Sequence, residues 1–202
     1  MTFGDIPGVP VGAWFNSKQA LSDAGVHKQI MGGMCGGQDG TTSIVMNEGY
    51  LDDEDSGEVI LYTGHGGQDG AGNQISDQEW TRANAGMRVN HEKGLPVRVV
   101  RGYKLKSSYA PPSGYRYDGL YTVERCWREP STQGPMICRF ELRETEAGRT
   151  VAKHGAEPPA RFEADPAVRT SNARTPERQL PDLTEEQRER IRKRVAERKR
   201  NG

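Results

Sequence analysis

The stretch Gly49-Tyr50-Leu51-Asp52-Asp53-Glu54-Asp55-Ser56-Gly57, running straight into Glu58-Val59-Ile60-Leu61-Tyr62-Thr63-Gly64-His65-Gly66-Gly67, places an acidic loop and two tyrosines beside a glycine-rich turn. A short apolar strand lies between them. Two readings are open for it. One is a β-hairpin with a solvated acidic turn. The other is a pocket for a planar ligand. A carboxylate can accept a hydrogen bond from the exocyclic amine of cytosine, and two aromatic rings can hold a base swung out of a duplex. Glycines let the backbone approach a flat ligand, because no Cβ intervenes.

Outward from this stretch, residues 42–142 read as β-rich, with short β-branched and aromatic runs bounded by Gly, Pro, Asp and Asn. The expected strands are Ser43–Met46, Val59–Tyr62, Val97–Tyr103, Gly119–Trp127 and Met136–Leu142. Helices are expected over Asn16–Gly25, ending in a glycine, and over Asp77–Arg88, where Trp80, Ala83 and Met87 share a face. Trp80 and Trp127 read as core anchors. The fold class expected is α+β, a twisted, barrel-like sheet flanked by helices, over residues 1–145.

Beyond this, Pro158, Pro159, Pro166, Pro176 and Pro181 punctuate a polar stretch, and 146–182 reads as a disordered linker. Thr184-Glu185-Glu186-Gln187 has the pattern of a helix-capping box, which predicts a charged helix over 183–202. From Thr184 to Gly202 there are eight Lys/Arg and four Asp/Glu, a local excess of +4. Such a helix can lie on DNA phosphates, engage a protein partner, or simply be solvated.

The 202 residues carry 28 basic and 28 acidic side chains, with a mean hydropathy of -0.83, so net charge does not point to a polyanion. No apolar run has membrane-spanning length and no signal peptide opens the chain, which predicts an intracellular protein away from membranes. Cys35, Cys126 and Cys138 form no CxxC pair, and the four histidines make no metal-binding spacing. The acidic loop lacks the ligand spacing of a calcium loop. Thr63–Gly67 lacks the Gly-Lys-Ser/Thr of a phosphate-binding loop. No zinc-deaminase signature is present. No catalytic pair and no cofactor are implied.

Several separated segments, in order, carry a resemblance. They are Phe3-Gly4-Asp5-Ile6-Pro7-Gly8-Val9-Pro10-Val11-Gly12, Ala24-Gly25-Val26-His27, Pro96-Val97-Arg98-Val99-Val100-Arg101-Gly102, Tyr109-Ala110-Pro111 and Tyr115-Arg116-Tyr117-Asp118-Gly119-Leu120-Tyr121. From about Phe3 to Arg143 the chain resembles the SET-and-RING-associated, or YDG, domain, a family that binds DNA carrying modified cytosine and flips the base into a pocket. The resemblance implies a non-catalytic reader of 5-methylcytosine or 5-hydroxymethylcytosine in double-stranded DNA. It makes Asp53 the carboxylate on the Watson–Crick edge, Tyr50 and Tyr62 the stacking rings, and Gly49, Thr63 and Gly64 the backbone around the base. It also implies a thumb over His27–Gly33, with Met31 as an apolar wedge and Gly33 beside it. A second finger falls over Gly72–Ser76, with Asn73 and Gln74 reaching DNA. The Asn-Lys-Arg tip of vertebrate maintenance-methylation readers has no counterpart there.

Asn47 would bond the base or cap a turn, the turn being the preferred reading, and Arg98, Arg101 and Arg116 are candidate phosphate contacts. Tyr117-Asp118-Gly119 reads as a turn in which Asp118 bonds local backbone. Two other functions stay open: the recognition subunit of a modification-dependent nuclease whose catalytic partner is a separate chain, and an interaction scaffold with a vestigial pocket. A DNA-associated location follows from the reader function, nuclear in a eukaryote and cytoplasmic or nucleoid in a bacterium.

Overall fold

The computed structural model describes residues 2–48 and 50–146. Gly49, the linker expected from 147 onward and the C-terminal helix expected over 183–202 lie outside the described residues. Strand β1 is Trp14–Phe15, followed by helix α1 at Lys18–Asp23, β2 at Met34–Gly37, β3 at Gly40–Met46, β4 at Glu54–Asp55 and β5 at Val59–Thr63. Then come α2 at Arg82–Lys93, β6 at Val97–Gly102, β7 at Tyr115–Pro130 and β8 at Met136–Glu144.

One mixed sheet runs in the order β2-β3-β6-β7-β8-β5-β4, with β1 paired to β7. Among the described strands only the β3–β6 pair is parallel. The sheet curves but does not close, and β2 and β4 remain its two edges. Its ends still approach each other: the Tyr62 hydroxyl on β5 donates to the Gly33 carbonyl just before β2, at 3.2 Å.

Alternation along β3 and β6 explains why both faces are covered. Ile44, Met46, Val97 and Val99 face the larger core with Met87, Phe140 and Leu142. Val45 and Val100 face the smaller one with Leu21, Val26 and Tyr117. Helix α1 begins at Ser17, whose hydroxyl accepts from Ala20 N at 3.1 Å, a serine cap of the ordinary kind.

Three differences from the sequence reading matter. Helix α2 starts five residues later than expected and continues to Gly94, which ends it in the left-handed conformation. The reason is that Asp77 and Gln78 are committed elsewhere: Asp77 Oδ1 accepts from Met136 N, and Gln78 N donates to the Met136 carbonyl. Secondly, Tyr117-Asp118-Gly119 is not a turn before a strand but lies inside β7, near its start. The β6–β7 register shifts beside it, and Gly119 takes φ 97°, a strand bulge of the kind glycine permits. Finally, Trp127 is not a core anchor. It is partly exposed on β7, under the Arg125 guanidinium at 4.9 Å, with its Nε1 donating to Glu129.

Candidate functional site

Strand β5 ends at Thr63, and that end builds the site. Thr63 N donates to Asp53 Oδ1 at 2.7 Å, so the acidic loop is folded back onto the strand rather than left in solvent. The Tyr50 hydroxyl accepts from Gly66 N at 3.0 Å, and the Tyr62 hydroxyl is fixed on Gly33. Both tyrosines are thus tethered at their polar ends. Burial raises the Tyr50 phenol to about 12 and raises Tyr62 well above the usual phenol range, with the Asp53 charge adding to both. Both phenols therefore stay neutral.

Asp53 stands apart from the ordinary carboxylates of the chain. Burial pushes it from 3.8 up to about 7, although the Thr63 hydrogen bonds and the Arg139 charge pull the other way. A carboxyl held near neutrality can donate as well as accept a proton. It matches an edge that presents a donor beside an acceptor, as cytosine does with N4 and N3.

Behind this wall lie residues the sequence reading missed. Arg139 donates to the Asp52 carbonyl and to Thr63 Oγ1, the latter at 2.9 Å, and pairs with Glu129 at 2.9 Å. Gln78 holds the Gly64 carbonyl at 2.7 Å and receives Cys138 N at 2.9 Å. Asn84 takes His65 N on its oxygen and gives its amide to the carbonyls of His65 and Glu79. A Cβ on Gly64 would stand 2.5 Å from Asn84 Oδ1, so only glycine lets the wall pack this closely. The signal was present, since Gln78 and Asn84 are amides beside the apolar face of Trp80, Ala83 and Met87. Replacing Asn84 with Ala should cost roughly 1–3 kcal/mol, because it orphans buried backbone groups. A thermal unfolding scan would show it.

The segment expected as a thumb, His27–Gly33, is held by side chains of its neighbours. The Gly32 carbonyl accepts from Lys18 Nζ at 3.1 Å and sits 3.2 Å from His27 Nε2, whose other nitrogen lies 2.9 Å from Ser43 Oγ. Burial lowers His27 to about 4, so its imidazole is neutral. Gly33 has no room for a side chain, because a Cβ would come within 2.9 Å of the Tyr62 hydroxyl. At the tip Met31 is 91% exposed. Ile30, Met31, Leu51 and Ile75 are the exposed large apolar side chains among the described residues: Ile30 and Met31 precede Gly33, Leu51 follows Tyr50, and Ile75 N donates to the Gly67 carbonyl.

Three expected phosphate contacts and Gln74 are corrected. Arg98, Arg101 and Arg116 are buried and cannot reach phosphates. Arg98 binds the carbonyls of Val26, Thr2 and Gly4. Arg101 pairs with Asp55 and Asp118, and Arg116 with Asp118. Gln74 is buried and spends its amide on the carbonyls of Gly66 and Ser76, while Asn73 bonds Asp69 within its own loop. Asn47 presents Oδ1 to Lys104 N at 3.0 Å, which locks the chain after β3.

Residues 2–147 match the SAD/SRA domain. The chain belongs to the SAD/SRA domain family. It is 41% identical over 156 residues to a UHRF1-like protein of Cryptococcus neoformans var. grubii, covering 70% of this chain and 46% of that protein. It therefore spans less than half the length of that curated relative. Among solved structures it resembles a modification-dependent TagI restriction endonuclease, at TM-score 0.70 and 42% identity, over 75% of this chain and 56% of that one. It also resembles the SUVH5 SRA bound to fully hydroxymethylated CG DNA, at TM-score 0.63 and 34% identity, over 72% and 95%. No helix among the described residues is long and apolar enough to cross a membrane.

Proposed function

We propose that this SAD/SRA domain is a non-catalytic reader of double-stranded DNA. It swings a 5-methylcytosine or 5-hydroxymethylcytosine out of the helix and holds it between Tyr50 and Tyr62 against Asp53. The observation that carries this reading is the buried Asp53 carboxyl folded onto Thr63 N at 2.7 Å beside two tyrosines tethered at their hydroxyls. Asp53 Oδ1 has a lone pair beyond the one Thr63 uses, which takes N4–H, while a proton on Oδ2 serves N3. Stacking on the rings offsets part of the unstacking cost, at roughly 1–3 kcal/mol per base. A buried C5 methyl adds about 1 kcal/mol, which limits how sharply the site prefers it. The SUVH5 SRA in its hydroxymethylated complex supports the ligand class. The protein works in association with DNA, in the nucleus if its host is a eukaryote.

The likeness to the TagI endonuclease favours a second reading, in which this domain recognises modified DNA for a nuclease activity carried by a separate chain. The C-terminal segment would then recruit that partner. One experiment tests both. The purified chain is titrated with matched duplexes carrying unmodified, hemimethylated, fully methylated or hydroxymethylated cytosine, with 2-aminopurine beside the target. Tighter binding to a modified duplex with a rise in fluorescence supports the reader. Equal, weak, salt-sensitive binding to all four removes it and leaves a scaffold. Cutting of methylated DNA by the chain alone would refute the non-catalytic assignment.

Met31 fills the gap left by the flipped base. Burying this side chain contributes on the order of 2 kcal/mol. Met31→Ala should therefore weaken modified-duplex binding roughly 10-fold or more and reduce the 2-aminopurine signal. Its thermal stability should not change, because the side chain is exposed in the free protein.

A further inference from the structure

The pocket loop between β3 and β5 is held at Asp52 by Arg139 and Thr132 N and at Asp53 by Thr63 N, and its return into β5 is held at Asp55. Strand β4 is two residues long and pairs only Glu54 with Leu61 and Asp55 with Ile60. Asp55 is nevertheless among the most firmly held carboxylates in the molecule. Arg101 on β6 grips it with two parallel bonds, Nε to Oδ2 at 2.9 Å and Nη2 to Oδ1 at 2.7 Å. The same guanidinium donates to the Gly57 carbonyl at 2.9 Å, which also receives the Tyr121 hydroxyl at 2.7 Å. Ser107 Oγ adds a bond to Asp55 at 2.8 Å. Gly57 fits here without a side chain, since a Cβ would meet the Tyr109 ring at 2.7 Å.

The remaining Arg101 nitrogen goes to Asp118, the central residue of the Tyr-Asp-Gly run, at 2.7 Å. Asp118 also receives Arg116 Nε at 2.5 Å and Nη2 at 3.1 Å. The Arg101, Arg116 and Asp118 side chains are fully buried and that of Asp55 is 3% exposed, so two cations and two anions balance without solvent. The strand bulge at Gly119 places Asp118 here. A buried quartet is a costly way to gain stability alone, because desolvation consumes much of the Coulomb gain. What it does supply is a fixed geometry, and its free end lies two residues from Asp53.

We infer that Asp118 and Arg101 are positioning residues for the base pocket, acting through Asp55 to hold the Asp53 loop closed against β5. This rests on the reader function proposed above and deepens it, giving the Tyr-Asp-Gly run a role in recognition without any contact to DNA. Burial works against an ionised Asp55, yet the Arg101 bonds outweigh it and keep that carboxyl low, so the clamp persists across the neutral range. Loosening it admits water to Asp53 and removes the burial that holds its carboxyl near neutrality.

The test compares the full chain with Arg101→Lys, which keeps the charge but not the fork, with Asp55→Asn, which leaves one buried cation uncompensated, and with the milder Ser107→Ala. Binding to methylated and unmodified duplex is measured from pH 5.5 to pH 9 (roughly spanning the Asp53 titration), with thermal unfolding alongside. The expected result is that the pH at which methylated-duplex affinity falls moves down by about 1 unit or more in Arg101→Lys. Asp55→Asn and Ser107→Ala should give smaller shifts in the same direction, and the preference for methylated duplex should shrink in step. Should Arg101→Lys or Asp55→Asn fail to fold, Ser107→Ala decides, since it removes one bond to Asp55 and leaves the buried charges balanced. Variants that lose thermal stability but keep the parent pH midpoint and methyl preference would overturn the inference and leave the reader intact. A parent chain with no methyl preference would instead overturn the reader itself, and the clamp's role with it.

Discussion

Asp53→Ala is expected to erase the difference between methylated and unmodified duplex while leaving weak, salt-sensitive binding in place. Alanine leaves the base nothing to bond through its N4 and N3, and Thr63 N loses its acceptor as well. A buried polar edge without partners costs about 1–3 kcal/mol for each group left unpaired. The expected loss in modified-duplex affinity is therefore on the order of 10- to 100-fold. Unmodified cytosine presents the same N4 and N3, so its binding through the pocket should fall as well, and both duplexes should converge on the weak, salt-sensitive binding that needs no flipped base. The 2-aminopurine signal separates the effects, since it should fall to the level of a non-flipping control. Retained methyl preference in Asp53→Ala would mean that the tyrosines and backbone select the base and that the carboxyl is incidental.

The part of this site visible in the sequence is the part that sits close together along the chain. Tyr50, Asp53, Tyr62, Thr63 and Gly64 fall within fifteen residues, and the chemistry of each is legible from its side chain. The strands carrying them were equally legible, since Val59–Thr63 and Gly40–Met46 are runs of β-branched and apolar residues. The supports were harder to see because they come from far along the chain and look like surface residues. Arg101, Arg116 and Arg139 have the composition of phosphate contacts, and only the fold shows that each meets a carboxylate or a carbonyl in the interior. Alternation fails along Tyr115-Arg116-Tyr117-Asp118 for the same reason: the charged side chains are as buried as the tyrosines, so the strand reads as shorter than it is. Helix α2 was displaced because its apolar periodicity begins at Trp80, while the backbone before Thr81 is already bonded to β8. Periodicity reports which face is apolar, not where hydrogen bonding lets a helix begin.

Asp53→Asn should behave quite differently from Asp53→Ala, and the contrast is the sharper test of the pocket's chemistry. With the carboxyl near 7 in the free protein, the protonated form prevails below neutrality and can donate to N3 while Oδ1 accepts N4–H. Above about pH 7 that proton must be taken up on binding, so affinity for modified duplex should fall by up to roughly tenfold per pH unit. Asparagine carries the same pattern permanently, its amide donating to N3 and its oxygen accepting from Thr63 N and N4. Asp53→Asn should therefore keep modified-duplex binding and lose the decline above pH 7. Its stability should change with a defined sign. A carboxyl raised from 3.8 to about 7 by folding contributes stability that is fully present below 3.8 and is lost as pH rises through 7. Removing its charge should leave stability unchanged near pH 4 and raise it progressively to pH 7, with a plateau gain of at most roughly 4 kcal/mol. Thermal unfolding of both proteins across that range reads the stability change, and duplex titrations at pH 6 and pH 8.5 (about one unit or more to either side of neutrality) read the binding. Affinity of the parent that instead rises with pH would show that the ionised carboxylate is the form that holds the base, and would rule out the shared proton.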